Sequence, residues 1–282
     1  MNYRHAFHAG NFADVLKHAV LALVIEHLKR KPAAFRVIDT HAGRGLYRLD
    51  APEAERTGEW RAGIGRLIGP EADAIPPAIE PLLDPYLGEV RRHNSGGALA
   101  CYPGSPVLAL GLMRPGDALI ANELHPEDGR ALKTALGHDA RAKVLGIDAW
   151  QALKAVLPPK ERRGVVLVDP PFEETGDLER LATGLAAAQR RFATGTYLLW
   201  FPVKDSAVMD RLRRALSSAG ADKLIVAELR VSALASAQKL AGSGLAIVNP
   251  PFTLADQLDL LLPFLSERLA QGPGAGGTVH RH

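Results

Sequence analysis

Between positions 105 and 248 short apolar runs alternate with segments of helical spacing, and this alternation constrains the fold more than any other feature of the chain. The runs at 118–121, 143–147, 165–168, 196–201, 223–229 and 244–248 are four to seven residues long and rich in Val, Ile and Leu. An earlier run, Phe35-Arg36-Val37-Ile38-Asp39-Thr40, has the same character and meets Gly43 and Gly45. Continuous apolar strands separated by helices predict a mostly parallel sheet with helices on both faces, because such strands are buried on both sides. The spacing therefore predicts a doubly wound α/β fold of seven strands. The connection between the last two runs, centred on residues 232–239, is too short for a parallel crossover, so one antiparallel strand is expected at the sheet edge.

The rest of the chain fits around that sheet. Residues 12–30 place Leu16, Val20, Leu23, Val24 and Leu28 at helical spacing, which predicts an amphipathic helix. Residues 50–100 hold Pro70, Pro76, Pro77, Pro81 and Pro85 and no comparable strand, so they are expected to form a small inserted helical subdomain. This divides the chain into 1–49, the N-terminal motif and start of the main domain, then 50–100, then 101–271. The tail, 272–282, is expected to be disordered.

A length of 282 residues, with 47% hydrophobic and 23% charged, suits one large soluble domain with an insertion. The single cysteine, Cys101, excludes an intrachain disulfide and suits a reducing compartment. No apolar stretch reaches the roughly 18–20 residues of a membrane span, and the first ten residues carry Arg4, His5 and His8 where a signal peptide needs apolar ones. A cytoplasmic monomer without membrane contact is the expectation. A formal charge of +3 permits a polyanionic partner where basic residues cluster.

Ligands of open parallel sheets bind beyond the carboxyl ends of the strands. Four strand ends here are acidic: Asp39, Glu123, Asp148 and Asp169. One such acid is ordinarily a turn former or helix cap, but four in succession outline a site. The first turn, from Asp39 to Gly45, contains two glycines that allow close backbone approach. A dinucleotide fingerprint needs a third glycine where Arg48 stands, which disfavours an NAD-dependent dehydrogenase. S-adenosylmethionine has no phosphate. Glu123 would accept its ribose hydroxyls, and Ile147 with Asp148 would contact its adenine.

The most specific string is Asp169-Pro170-Pro171-Phe172, directly after the run at 165–168. Two prolines stiffen the turn and remove two backbone donors. An exocyclic amine must be held by both N–H groups while its lone pair faces the methyl donor. Asp169 and the Pro170 carbonyl supply two acceptors, and Phe172 supplies a stacking surface for a flipped base. A second copy, Asn249-Pro250-Pro251-Phe252, follows the last run. Asp169 ends the fourth strand, beside the first at the switch point, whereas Asn249 is expected near the sheet edge, so catalysis is assigned to Asp169.

The strings Tyr3-Arg4-His5-Ala6-Phe7-His8-Ala9-Gly10-Asn11 and Ala13-Asp14-Val15-Leu16-Lys17-His18 resemble the RlmJ family. The resemblance continues through Asp39-Thr40-His41-Ala42-Gly43, Tyr102-Pro103-Gly104-Ser105-Pro106, Glu123-Leu124-His125 and Asp169-Pro170-Pro171. It implies N6 methylation of an adenine in 23S ribosomal RNA, with S-adenosyl-L-methionine as donor. It also implies a Rossmann-like methyltransferase sheet with an inserted helical subdomain. By resemblance His18, His41, Ser105, Glu123, Asp148 and Asp169 fall at cofactor and catalytic positions, and Tyr3 at one that acts on RNA; Gly43 in the first turn is a further cofactor candidate. Arg4, His5 and Lys17 join Tyr3 as candidate RNA contacts, Arg4 and Lys17 at phosphates. The family commonly has tyrosine where this chain has Phe172. No metal is expected, since the histidines have no cysteine partners and no H-E-x-x-H spacing. The competing readings are a DNA adenine-N6 methyltransferase and a non-catalytic RNA-binding module.

Overall fold

A computed structural model describes residues 4–172, 176–203, 214, 216, 223–234 and 240–281. After a 3-10 turn at His5–Phe7, helix α1 runs Phe12–Lys29, capped by Asn11, whose side chain accepts from the Ala13 and Asp14 amides. Strand β1 (Arg36–Asp39) follows, then β2 (Leu46–Arg48), α2 (Pro52–Thr57), α3 (Gly65–Ile68), α4 (Glu80–Arg92) and β3 (Cys101–Pro103). The βα alternation continues as α5 (Ser105–Leu112), β4 (Ala118–Asn122), α6 (Pro126–Leu136), β5 (Ala142–Leu145), α7 (Ala149–Val156), β6 (Gly164–Val168) and α8 (Asp177–Arg191). Next come β7 (Thr196–Val203), β8 (Leu224–Arg230), β9 (Gly242–Val248), α9 (Leu254–Arg268) and β10 (Gly276–Arg281).

Among the described residues the main sheet has eight strands in the order β10-β8-β9-β7-β6-β1-β4-β5. Strands β5, β4, β1, β6 and β7 are parallel. Their central residues are apolar because helices cover both faces, and every residue of β6 is buried. The doubly wound class predicted from the sequence is the observed one. The chain leaves β1 toward β4 and β5, then returns to β6 on the other flank, so the switch point lies between β1 and β6.

The expected antiparallel edge is present, formed by β10, and a second strand is reversed inside the sheet. Strand β9 runs antiparallel to both β7 and β8 and lies between them rather than at the edge. The tail expected to be disordered supplies the eighth strand, β10, paired antiparallel with β8. Its sequence, Gly-Gly-Thr-Val-His-Arg, is too polar to read as a strand, because an edge strand packed by α9 on one face needs few apolar residues.

Helix α1 also departs from its expected form. It is buried on every side, Lys17 and His18 included, rather than along one stripe. The sheet covers one side, and α4, α5 and α9 cover the rest. Between the paired strands β2 and β3, the segment carrying α2 to α4 places Leu83, Tyr86, Leu87 and Val90 in the same apolar cluster as α1. That segment thus shares the main core.

The start of β6 shows how tightly the central strands are set. Gly164 is paired with Arg36 of β1, and a Cβ there would lie 2.0 Å from the Arg36 carbonyl oxygen. Gly164→Ala is expected to cost about 1–3 kcal/mol of stability in a denaturant titration. A variant as stable as the parent would show that β1 and β6 tolerate separation.

Candidate active site

The four acidic strand ends converge at the switch point. Asp39, at the end of β1, is 1% exposed; its Oδ2 accepts from Ser105 Oγ at 2.6 Å and its Oδ1 from the His41 amide at 3.2 Å. Burial pushes its carboxyl up to about 6 despite these donors. Gly104 occupies the N-cap of α5, and the Ser105 hydroxyl serves Asp39.

Glu123 follows β4. Its Oε2 accepts from the Gly43 amide at 2.8 Å and its Oε1 from the His125 amide at 2.7 Å. Gly43 has φ +60, and a Cβ there would meet the Tyr47 hydroxyl at 2.1 Å, so glycine alone lets this turn close on Glu123. Each carboxylate oxygen still has a lone pair to offer a ligand. Burial raises the Glu123 carboxyl above its ordinary value. Asp148 caps α7, accepting from the Trp150 and Gln151 amides, and its other oxygen lies 3.4 Å from Arg180. Asn122 ties these loops together: its side chain donates to the Thr40 and Ile147 carbonyls and accepts from the Ile147 amide.

Glu123, Asp148, Asp169 and Asn122 line a cavity of about 160 Å³, with Asp39 behind the wall, bonded to the lining residue Ser105. His18, His41, Gly43, Ser105, Glu123, Asp148 and Asp169 all face it, together with His5 and Lys17. Ile147 does not; its backbone is held by Asn122 while its side chain is 38% exposed. Burial lowers His18 to about 3 and His41 to about 4, so both rings are neutral at physiological pH. The described lining sets the carboxyls of Glu123, Asp128, Asp148, Asp169 and Asp177 against the cations Lys17 and Arg180, with Arg44 reaching Asp128 at 2.6 Å from outside the cavity, a balance that suits a positively charged ligand and opposes a pyrophosphate.

A second cavity, of about 590 Å³, adjoins the first, and His5, Lys17, Asp169, Pro170 and Pro171 line both. Phe172 faces only the second, its ring 5.6 Å from that of Trp200, whose indole N–H donates to Ser243 Oγ. His8, Asn11 and Glu59 also line this second cavity. Glu59 accepts from Asn11 Nδ2 and pairs with His8 at 3.0 Å, which raises the imidazole above its ordinary value.

Two expected phosphate contacts have other partners. Lys17 is 4% exposed, with its ammonium 2.8 Å from Asp14 Oδ1 and hydrogen-bonded to Asp169 Oδ2. Burial opposes this charge, but the two carboxylates outweigh it and hold the ammonium well above its usual value. Arg4 donates to Glu127 at 2.8 Å and lies 3.5 Å from Asp128, which pins the N-terminal segment to α6. Tyr3 lies outside the described residues. Sequence reasoning missed Asp14, Asn122 and Trp200; the three-residue spacing of Asp14 and Lys17 on one helix face was the one available signal.

The second Pro-Pro turn is remote from this site. Because β9 is reversed, Asn249 emerges at the amino ends of the parallel strands, and its carbonyl accepts from Thr196 at the start of β7. Its amide donates to the Ala193 and Gly195 carbonyls, and its φ is +51. Asn249 closes a structural turn at the opposite end of the sheet.

A doubly wound sheet of this order, with an acid-lined cavity and an Asp-Pro-Pro-Phe turn at its switch point, defines a methyltransferase of the Rossmann-like class. The model of the family described as ribosomal RNA large subunit methyltransferase D, RlmJ, matches residues 32–281. The chain belongs to this family. It is 42% identical over 279 residues to ribosomal RNA large subunit methyltransferase J of Escherichia coli strain K12, covering 99% of this chain and 98% of the relative. The Haemophilus influenzae protein of the same name is 40% identical over 98% of this chain and 96% of its own. A crystal structure of a Legionella pneumophila protein superposes with a TM-score of 0.86 at 29% identity, covering 98% of each chain. The N-terminal motif lies before the family model's first matched residue, but the two curated relatives extend through nearly the whole chain. Among the described residues no helix is long and apolar enough to cross a membrane.

Proposed function

We propose that this protein transfers a methyl group from S-adenosyl-L-methionine to the N6 amine of an adenine in 23S ribosomal RNA. The observation that carries the reading is the place of Asp169-Pro170-Pro171 in the wall shared by two cavities, one acid-lined and the other faced by Phe172 and Trp200. The relatives' names, ribosomal RNA large subunit methyltransferase J, support the substrate class.

The first cavity fits the donor by its chemistry. Open lone pairs on Glu123 suit two ribose hydroxyls, Asp148 suits the adenine, and neutral His18 and His41 add no charge against a sulfonium. When bound, S-adenosylmethionine supplies an electrophilic methyl carbon. The second cavity receives the flipped base, with Phe172 as a stacking face worth about 1–3 kcal/mol. Asp169 and the Pro170 carbonyl accept the two N6 hydrogens and turn the nitrogen lone pair toward the methyl group. With the donor bound, a nitrogen–carbon bond would form as the sulfur–carbon bond breaks and S-adenosylhomocysteine leaves, and the cationic amine would shed one proton to Asp169 or solvent. Asp169 need not be a strong base, since the methylated amine is a strong acid. Orientation supplies most of the acceleration.

Glu123→Ala is expected to weaken S-adenosylmethionine binding about 10- to 100-fold in calorimetry, the loss of hydrogen bonds to a charged acceptor. Unchanged affinity would remove Glu123 from the donor site. The position of methylation is read by digesting treated 23S ribosomal RNA to nucleosides. N6-methyladenosine is the expected product, whereas a ring-nitrogen or ribose methyl would refute the amine-holding role of the turn.

A further inference from the structure

Asp14 is a buried carboxylate that the chemistry above does not use. It sits in the first turn of α1 and is 1% exposed. Its Oδ2 accepts from the Gly10 amide at 2.9 Å and meets His5 Nε2 at 3.0 Å. Its Oδ1 lies 2.8 Å from Lys17 Nζ and 3.9 Å from His18 Nε2. Lys17 in turn reaches Oδ2 of Asp169. One carboxylate thus joins the N-terminal segment, α1 and the Pro-Pro turn.

Stabilising the start of a helix accounts for the Gly10 contact. It does not account for a lysine held between two carboxylates, because burying Asp14 and Lys17 together is expensive and an apolar pair of similar volume would serve packing as well. The lysine head is a compact charge on a flexible stem. With Asp169 as its sole acceptor it would be free to move across both oxygens of that carboxylate and to compete with a substrate amine. With Asp14 it is anchored from the other side. The trio also carries one net negative charge instead of none, which favours an amine that becomes cationic during the reaction.

We propose that Asp14 is a positioning residue for methyl transfer: it holds the Lys17 ammonium on one oxygen of Asp169 and so leaves the other oxygen to the substrate amine. This rests on the reading of Asp169 as an acceptor for that amine.

The test is single-turnover methylation of 23S ribosomal RNA by Asp14→Asn, Lys17→Met and the double variant, with calorimetric binding of S-adenosylmethionine. Asp14→Asn keeps an acceptor for the Gly10 amide and is expected to slow transfer about 100-fold, with donor affinity and KM for RNA unchanged. In the Lys17→Met background the same substitution is expected to cost nothing further. A rate equal to the parent's, a further loss in the Lys17→Met background, or a loss matched by weaker donor binding would each overturn the proposal. The comparison within the Lys17→Met background decides the matter even where Asp14→Asn alone does not fold, because that pair leaves no unpaired lysine. A parent protein that transfers no methyl to this RNA would instead overturn the functional reading beneath it.

Discussion

Asp169→Ala lowers the rate of methyl transfer by about 1,000-fold while leaving the protein folded. Asp169 supplies a charged acceptor aimed at an amine whose positive charge grows during the reaction, and loss of one such group costs about 10²–10³ in rate. The fold tolerates the change because the side chain sits at the rim of the sheet and Lys17 retains Asp14 as a partner. Asp169→Asn, which keeps one carbonyl oxygen without the charge, retains more activity than the alanine variant. The check is a single-turnover rate beside a thermal melt for both proteins. A small effect of Asp169→Ala on rate, or an equal effect of both substitutions on stability, would mean that the turn is structural.

Lys17→Met has the largest expected effect on stability. It leaves the carboxylates of Asp14 and Asp169 facing each other with no cation between them. Breaking a buried pair from one side costs about 3–5 kcal/mol, roughly 10 °C in melting temperature for a chain of this size. The pH dependence has a definite sign. Burial alone would raise the Asp14 carboxyl, but His5 and the Lys17 ammonium beside it hold it well below its ordinary value in the parent. That stabilisation is present above the ordinary carboxylate range near pH 4 and is lost below it. Without Lys17 the Asp14 carboxyl loses a cation that holds it down and protonates more readily, so the gap between variant and parent narrows as pH falls toward 4. A gap that widens on acidification, or a variant as stable as the parent at pH 8, would contradict the charge assignment. The same variant loses activity, because Asp169 is no longer held in place.

The parallel half of the sheet was legible because strands buried on both faces must be apolar along their whole length, and 165–168 and 118–121 could be little else. Strand direction leaves no such mark. Strand β9 reads like its parallel neighbours although it runs the other way, and for that reason Asn249 was placed at a sheet edge rather than at the far end of the sheet. Strand β10 was invisible because its residues are those of a flexible tail. The acidic strand ends were legible from position alone, since the carboxyl ends of parallel strands form the crevice. Asp14, Asn122 and the burial of Lys17 were not, because a polar residue on a helix or at a strand end reads as solvated until tertiary packing encloses it. The resemblance to the RlmJ family supplied His18 and His41, which spacing alone would have left as packing histidines.

The central claim is that the Asp-Pro-Pro-Phe turn methylates an adenine amine in ribosomal RNA, and its most direct test is transfer of radiolabelled methyl from S-adenosylmethionine to deproteinised 23S ribosomal RNA, with duplex DNA in parallel. The account predicts label in the RNA alone, released as N6-methyladenosine. Label in the DNA, or in neither nucleic acid, would contradict it.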